Sequence, residues 1–182
     1  MDFAKYSWIF CILYTIVRTI YCKRKSIKIE YKKEIVRIVF YSYLAGLLSQ
    51  TILPIINMGI VDGRMFIDVS AYGNGRINIV PFRTIVEYIE GVNGTGSIDS
   101  TAISRINLVA NIGLFIPFGF LFPICVRKIN DKYTVLAGAI LSLTIEVIQI
   151  FVKRGTDIDD VMLNTAGVLI GWGMFYCKKK VF

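Results

Sequence analysis

Three carboxylates, Asp157, Asp159 and Asp160, stand within four positions and follow a lone Glu146 that sits in an otherwise apolar run. Gln149 comes three residues after Glu146, the spacing that places both side chains on one face of a helix. Arg154 separates the two groups, Asn164 and Asn111 interrupt two further apolar runs, and Asn78 precedes a Pro-Phe pair. As chemistry, Glu146 is a candidate general acid/base, Arg154 a phosphate holder, and Asp157, Asp159 or Asp160 a base or metal ligand. As structure, Glu146 would accept hydrogen bonds from Asn111 or Asn164 and join helices. The aspartates would then cap the following helix and pair with Arg154. Three carboxylates alone do not complete the ligand set of a divalent cation, and no cofactor is implied. The chain contains no His, which excludes imidazole bases, His-ligated zinc and Ser-His-Asp catalysis.

The elements that must position these residues are apolar helices. Composition is 55% hydrophobic and 19% charged, with a mean hydropathy of +0.60. Apolar stretches cover residues 3–21, 35–56, 106–126, 134–152 and 161–177, each close to the ~20 residues that cross a bilayer. The expectation is an all-α, polytopic membrane protein. It is a single domain over residues 1–182, a bundle of about five transmembrane helices with a long extracytoplasmic loop at 57–105. The first stretch reads as a retained anchor, because Cys22-Lys-Arg-Lys makes a poor signal cleavage site. Cys22, Cys125 and Cys177 fall at the inner ends of spans and Cys11 lies mid-span, so none is well placed for an oxidised pair.

Seven basic residues lie between Cys22 and Arg37, and Lys and Arg accumulate on the cytoplasmic side. Placing that block inside puts thirteen basic and three acidic residues on the inner segments, against seven and nine on the outer ones. The amino terminus is then outside and the carboxyl terminus cytoplasmic. Charge gathered at span ends, without interleaved aromatics on one face, argues against a nucleic-acid partner. With this orientation Gln50, Asn111, Glu146, Gln149 and Asn164 share a depth near the outer surface. An ionisable residue within a span must face protein or water, so they should point into the bundle as a polar pocket roofed by 153–160. Residues 77–89 are too short and too charged to span and read as an interfacial or re-entrant segment over the bundle. Gly91–Gly96 is a flexible break, whose Asn-Gly-Thr is formally a glycosylation sequon. Gly167 and Gly171 suggest close helix packing, and Pro117 with Gly119 a kink in the third span.

Over roughly residues 78–171 the chain resembles the VanZ-like family of bacterial membrane proteins. The motifs are Asn78-Ile-Val-Pro81-Phe82, Asn111-Ile-Gly-Leu-Phe-Ile-Pro117-Phe-Gly119, Ser142-Leu-Thr-Ile-Glu146-Val-Ile-Gln149, and Arg154-Gly-Thr-Asp157-Ile-Asp159-Asp160-Val-Met-Leu-Asn164-Thr-Ala-Gly167. No single piece is specific; four in order on the expected spans are. The family takes its name from a protein that confers low-level teicoplanin resistance without remodelling the peptidoglycan stem peptide. The resemblance implies a multi-pass protein of the bacterial cell membrane with lipids as its partners. The first reading is a non-catalytic protein of the cell envelope whose outer pocket, with Asn78, Asn111, Glu146, Gln149, Arg154, Asp157, Asp159, Asp160 and Asn164, binds a lipid-linked or amphiphilic ligand such as a lipid-linked envelope precursor or a glycopeptide. An enzyme modifying a lipid or envelope polymer, with Glu146 as acid/base, is the second reading. A flippase or small transporter is the third, and it lacks polar residues continuing to the inner half.

Overall fold

A computed structural model describes residues 2–25, 30–52, 55–61, 64–70, 77–90, 98–126, 130–152 and 155–181. Five long helices account for most of it: α1 (Asp2–Arg24), α2 (Tyr31–Ile52), α4 (Ile98–Cys125), α5 (Thr134–Phe151) and α6 (Ile158–Val181). A short helix, α3 (Arg83–Glu90), and a single 3-10 turn (Asp131–Tyr133) complete the helical elements. The architecture is all-α in its dominant layers. Two stretches, Ile106–Cys125 and Asp131–Phe151, are long and apolar enough to cross a membrane, with mean hydropathies of 2.1 and 1.9.

The region read as a long loop has structure of its own. An antiparallel hairpin pairs β1 (Ile55–Val61) with β2 (Arg64–Ser70), Ile55 opposite Ser70 and Val61 opposite Arg64. The alternation of Ile, Met and Val with short polar residues suits a strand better than a continued helix, and α2 stops at Ile52. Farther along, β3 (Ile77–Asn78) pairs in parallel with β4 (Thr156–Asp157), and α4 begins eight residues before the apolar stretch it carries.

Helices α4 and α6 form the closest pair, and glycines set their separation. A Cβ at Gly167 would overlap the carbonyl oxygen of Ile112, one at Gly171 that of Ile116, and one at Gly119 that of Val168. The Gly167-xxx-Gly171 spacing thus brings two backbones into contact, as the sequence suggested. Val168 is fully buried beside them and joins Phe40, Leu47, Phe115, Phe118 and Ile145 in the core. Helix α4 continues as a helix through Pro117 and Pro123. Near Pro117, the Tyr43 hydroxyl of α2 donates to the Leu114 carbonyl at 2.5 Å. An inserted side chain therefore serves the backbone beside the proline, one residue along from the Gly113 carbonyl that Pro117 itself frees.

Candidate functional site

The parallel pairing of β3 with β4 is two residues long, yet it sets Asn78 opposite Asp157 across 79 positions of sequence. The Asn78 amide donates to Asp157 Oδ1 at 3.1 Å and to the Thr84 hydroxyl oxygen at 2.9 Å. Thr84 in turn donates its hydroxyl hydrogen to Asp157 Oδ2. Asn78 Oδ1 accepts from the Val80 amide at 3.2 Å, a local turn that leads the chain into Pro81.

Asp159 is fully buried and serves α3 instead of its own helix. Its Oδ1 accepts from the Phe82 amide at 2.6 Å, and its Oδ2 from the amides of Thr84 at 2.8 Å and Ile85 at 3.1 Å. The first amides of a helix have no carbonyl partner within it, and negative charge there is favoured by the helix dipole. Phe82 sits at φ 65°, a left-handed conformation uncommon for a bulky residue. Its own amide is bonded to Asp159, so the carboxylate holds that strained turn in place.

Behind these residues, buried Glu146 accepts from the Asp157 amide through Oε2 at 2.9 Å, and its carbonyl accepts the Thr156 hydroxyl at 3.2 Å. Asp157 Oδ1 also accepts from the Asp159 amide at 2.9 Å, which caps the start of α6. Asp160 Oδ1 accepts from the Asn111 amide at 2.5 Å, linking α6 to α4. Asn164 donates to Ser142 Oγ at 2.9 Å, linking α6 to α5. Gln149 is buried on α5 with Glu146. Arg154 lies outside the described residues, and so does the side chain of Gln50.

The sequence-predicted residues thus converge, with partners different from those expected. Asn111 bonds to Asp160 and Asn164 to Ser142, and the glycine contacts that bring α6 against α4 set Asp160 opposite Asn111. Asp157 caps α6, Asp159 turns to α3, and Asp160 reaches Asn111 on α4. As possible cation ligands they diverge. Among the described residues no group of three or more His, Cys, Asp or Glu side chains could hold a metal ion.

Sequence reasoning missed Thr84 and Ser142. Ser142 is four residues before Glu146, a same-face spacing that could have flagged it. Thr84 sits in an apolar segment, and no spacing links it to residue 157; only the β3–β4 pairing does.

Comparison with known proteins gives a consistent placement. No solved structure matches the chain. Protein VanZ of Enterococcus faecium is 36% identical over 74 residues, which cover 40% of this chain and 46% of that protein. The chain thus spans about half the length of the curated relative it matches. The VanZ/LLP1 family model matches residues 37–179, from the first turns of α2 almost to the end of α6. The chain belongs to the VanZ/LLP1 family.

Proposed function

We propose that this chain is a multi-pass protein of the bacterial cell membrane whose polar end, at the outer leaflet, binds a lipid-linked or amphiphilic ligand and thereby lowers glycopeptide (teicoplanin) action. In this reading α1, α2, α4, α5 and α6 cross the bilayer, with the amino terminus outside and the carboxyl terminus in the cytoplasm. Large apolar side chains exposed along several of these helices support it. They include Ile12, Leu13 and Val17 on α1, Leu136, Ile140 and Leu143 on α5, and Leu169, Ile170 and Met174 on α6. Such faces are unstable in water over this extent and suit hydrocarbon. Asp159 and Asn164 in α6 and Glu146 in α5 point into protein, as polar groups within a bundle must.

The observation that carries binding over catalysis is the use made of Glu146. Its carboxylate is buried and accepts a backbone amide that anchors the β4 turn, a task needing an acceptor and no exchangeable proton. One observation favours the enzymatic alternative: the Thr84 hydroxyl faces the Asp157 carboxylate, the order of a nucleophile and its base. The two readings separate at one position. Binding predicts that Glu146→Gln, which keeps an acceptor oxygen, preserves teicoplanin protection in a susceptible host while Glu146→Leu abolishes it. Loss of protection in Glu146→Gln at unchanged membrane abundance would favour acid/base chemistry.

A further inference from the structure

The segment from Ile77 to Ile89 forms a strap whose polarity is reversed relative to a water-facing one. Its inward side is polar: Asn78 and the Thr84 hydroxyl bond to Asp157, and the amides of Phe82, Thr84 and Ile85 bond to Asp159. Its outward side is apolar. Val86 and Ile89 share one face of α3, Phe82 stands in the turn just before it, and they are 45%, 59% and 57% exposed in that order. Ile77, Ile79 and Val80, in the strand and turn before α3, are also exposed. The one exposed cation on this helix, Arg83, is paired at 3.0 Å with Glu87 on the next turn, so the face offers a partner no unbalanced charge from that pair.

The strap packs against α4 and α6, at the level marked by the Asn111–Asp160 bond. On α4, Ile106 and Val109 lie in the turn and a half before Asn111 and are exposed at 65% and 68%. The apolar outer surface of the bundle therefore extends along α4 to the level of the strap.

We infer that the outward face of the strap, Phe82, Val86 and Ile89 with Ile79 and Val80, inserts among the lipid acyl chains just below the outer headgroups, so that α3 lies in the membrane interface as a lipid-seated cover over the Asp157–Asp159 network. The inference rests on the membrane reading above. A short amphipathic helix seated this way buries its apolar face shallowly while its other face meets polar groups. Here those polar groups are the carboxylates of the protein itself. The strap is held on one face by Asp157 and Asp159 and on its other face by hydrocarbon.

Nitroxide quenching in liposomes reads this directly. Full-length chain with Cys11→Ser and Cys177→Ser receives, in separate samples, Val86→Cys, Ile89→Cys or Ile140→Cys, and each is labelled with an environment-sensitive fluorophore. The unsubstituted background measures residual labelling of Cys22 and Cys125. At positions 86 and 89 the expected result is loss of fluorescence to lipids with the nitroxide near the glycerol end of the chain. Weaker loss is expected with the nitroxide near the methyl end, and protection from aqueous iodide. Position 140, midway along α5, should respond most to the deep nitroxide. Iodide quenching at 86 and 89 with normal deep quenching at 140 would overturn the strap inference alone. Insensitivity of 86 and 89 to both quenchers would indicate a protein cover, a second copy included, and would overturn it equally. Failure of deep quenching at 140 would overturn the membrane reading itself.

Discussion

Among the described residues, the two ends of the bundle meet buried charge with different partners. At the α1–α2 end, Glu34 is met by cations: Arg18 reaches it through two nitrogens at 2.9 and 3.1 Å, and Arg37 through one at 2.6 Å. At the strap end, the carboxylates of Asp157, Asp159, Asp160 and Glu146 accept from backbone amides, a hydroxyl and Asn side chains. Charge-on-charge pairing depends on protonation and salt. Amide-on-charge pairing depends on where the backbone is, so it transmits the position of one segment to another. The first arrangement stabilises a helical hairpin; the second assembles a site from α3, α4, α5 and α6.

The largest predicted effect lies in the spacing that makes the second arrangement possible. Gly167→Leu would drive a side chain into the Ile112 carbonyl and should prevent α4 and α6 from docking, a cost of more than ~3 kcal/mol. The expected outcome is loss of folded protein in detergent by size-exclusion chromatography, with α1–α2 variants unaffected by comparison. A monodisperse, normally stable Gly167→Leu protein would break the argument.

Next in size is Asp159→Ala, which removes the acceptor of three backbone amides. Hydrogen bonds to a charged group contribute about 1.5–3 kcal/mol each before non-additivity, so α3 should detach locally while the long helices persist. Hydrogen exchange should rise across 82–90 and stay unchanged in α1 and α2. Uniform exchange along the chain would contradict a strap held by this residue.

A smaller effect, of the opposite character, is expected at Glu34. Its hydrogen bonds with Arg18, together with the charge of that guanidinium, hold the Glu34 carboxyl below the usual carboxylate range. A carboxyl with a lowered folded-state pKa contributes stability that is complete above its unfolded pKa, about 4.3. That contribution drains away as pH falls through the folded-state value. Thermal midpoints in detergent should therefore drop below about pH 4 more steeply in the parent than in Arg18→Met. Equal acid sensitivity in the two proteins would remove the contrast between the ends. Smallest of all, Lys179→Ala breaks only an exposed pair with Asp131 and should leave the midpoint unchanged.

The long helices were legible because apolar runs of the right length leave few alternatives, and Glu146, Asp157 and Asn111 stood out as polar residues in or beside those runs. Partners were not legible. Asn78 meets Asp157 through a two-residue parallel pairing whose halves are 79 positions apart, and nothing local in the sequence encodes it. Asp159 followed the pattern of a cap for its own helix, yet α3 lies near enough to take the carboxylate, a preference set by tertiary packing. The β1–β2 hairpin was hidden because it lies almost wholly within residues 57–105, which were read as a loop between two spans, and its short strands mix apolar with polar residues.

In the proposed orientation the amide-bonded end faces outward and the cation-paired end faces the cytoplasm. Labelling of intact cells with a membrane-impermeant maleimide tests this most directly, using Gly94→Cys in the connection between α3 and α4 and Lys25→Cys at the end of α1, both in a Cys177→Ser background. The expected result is modification of the Gly94→Cys protein in intact cells and of the Lys25→Cys protein only after permeabilisation. The reverse pattern would place the strap and its carboxylates in the cytoplasm and contradict the account.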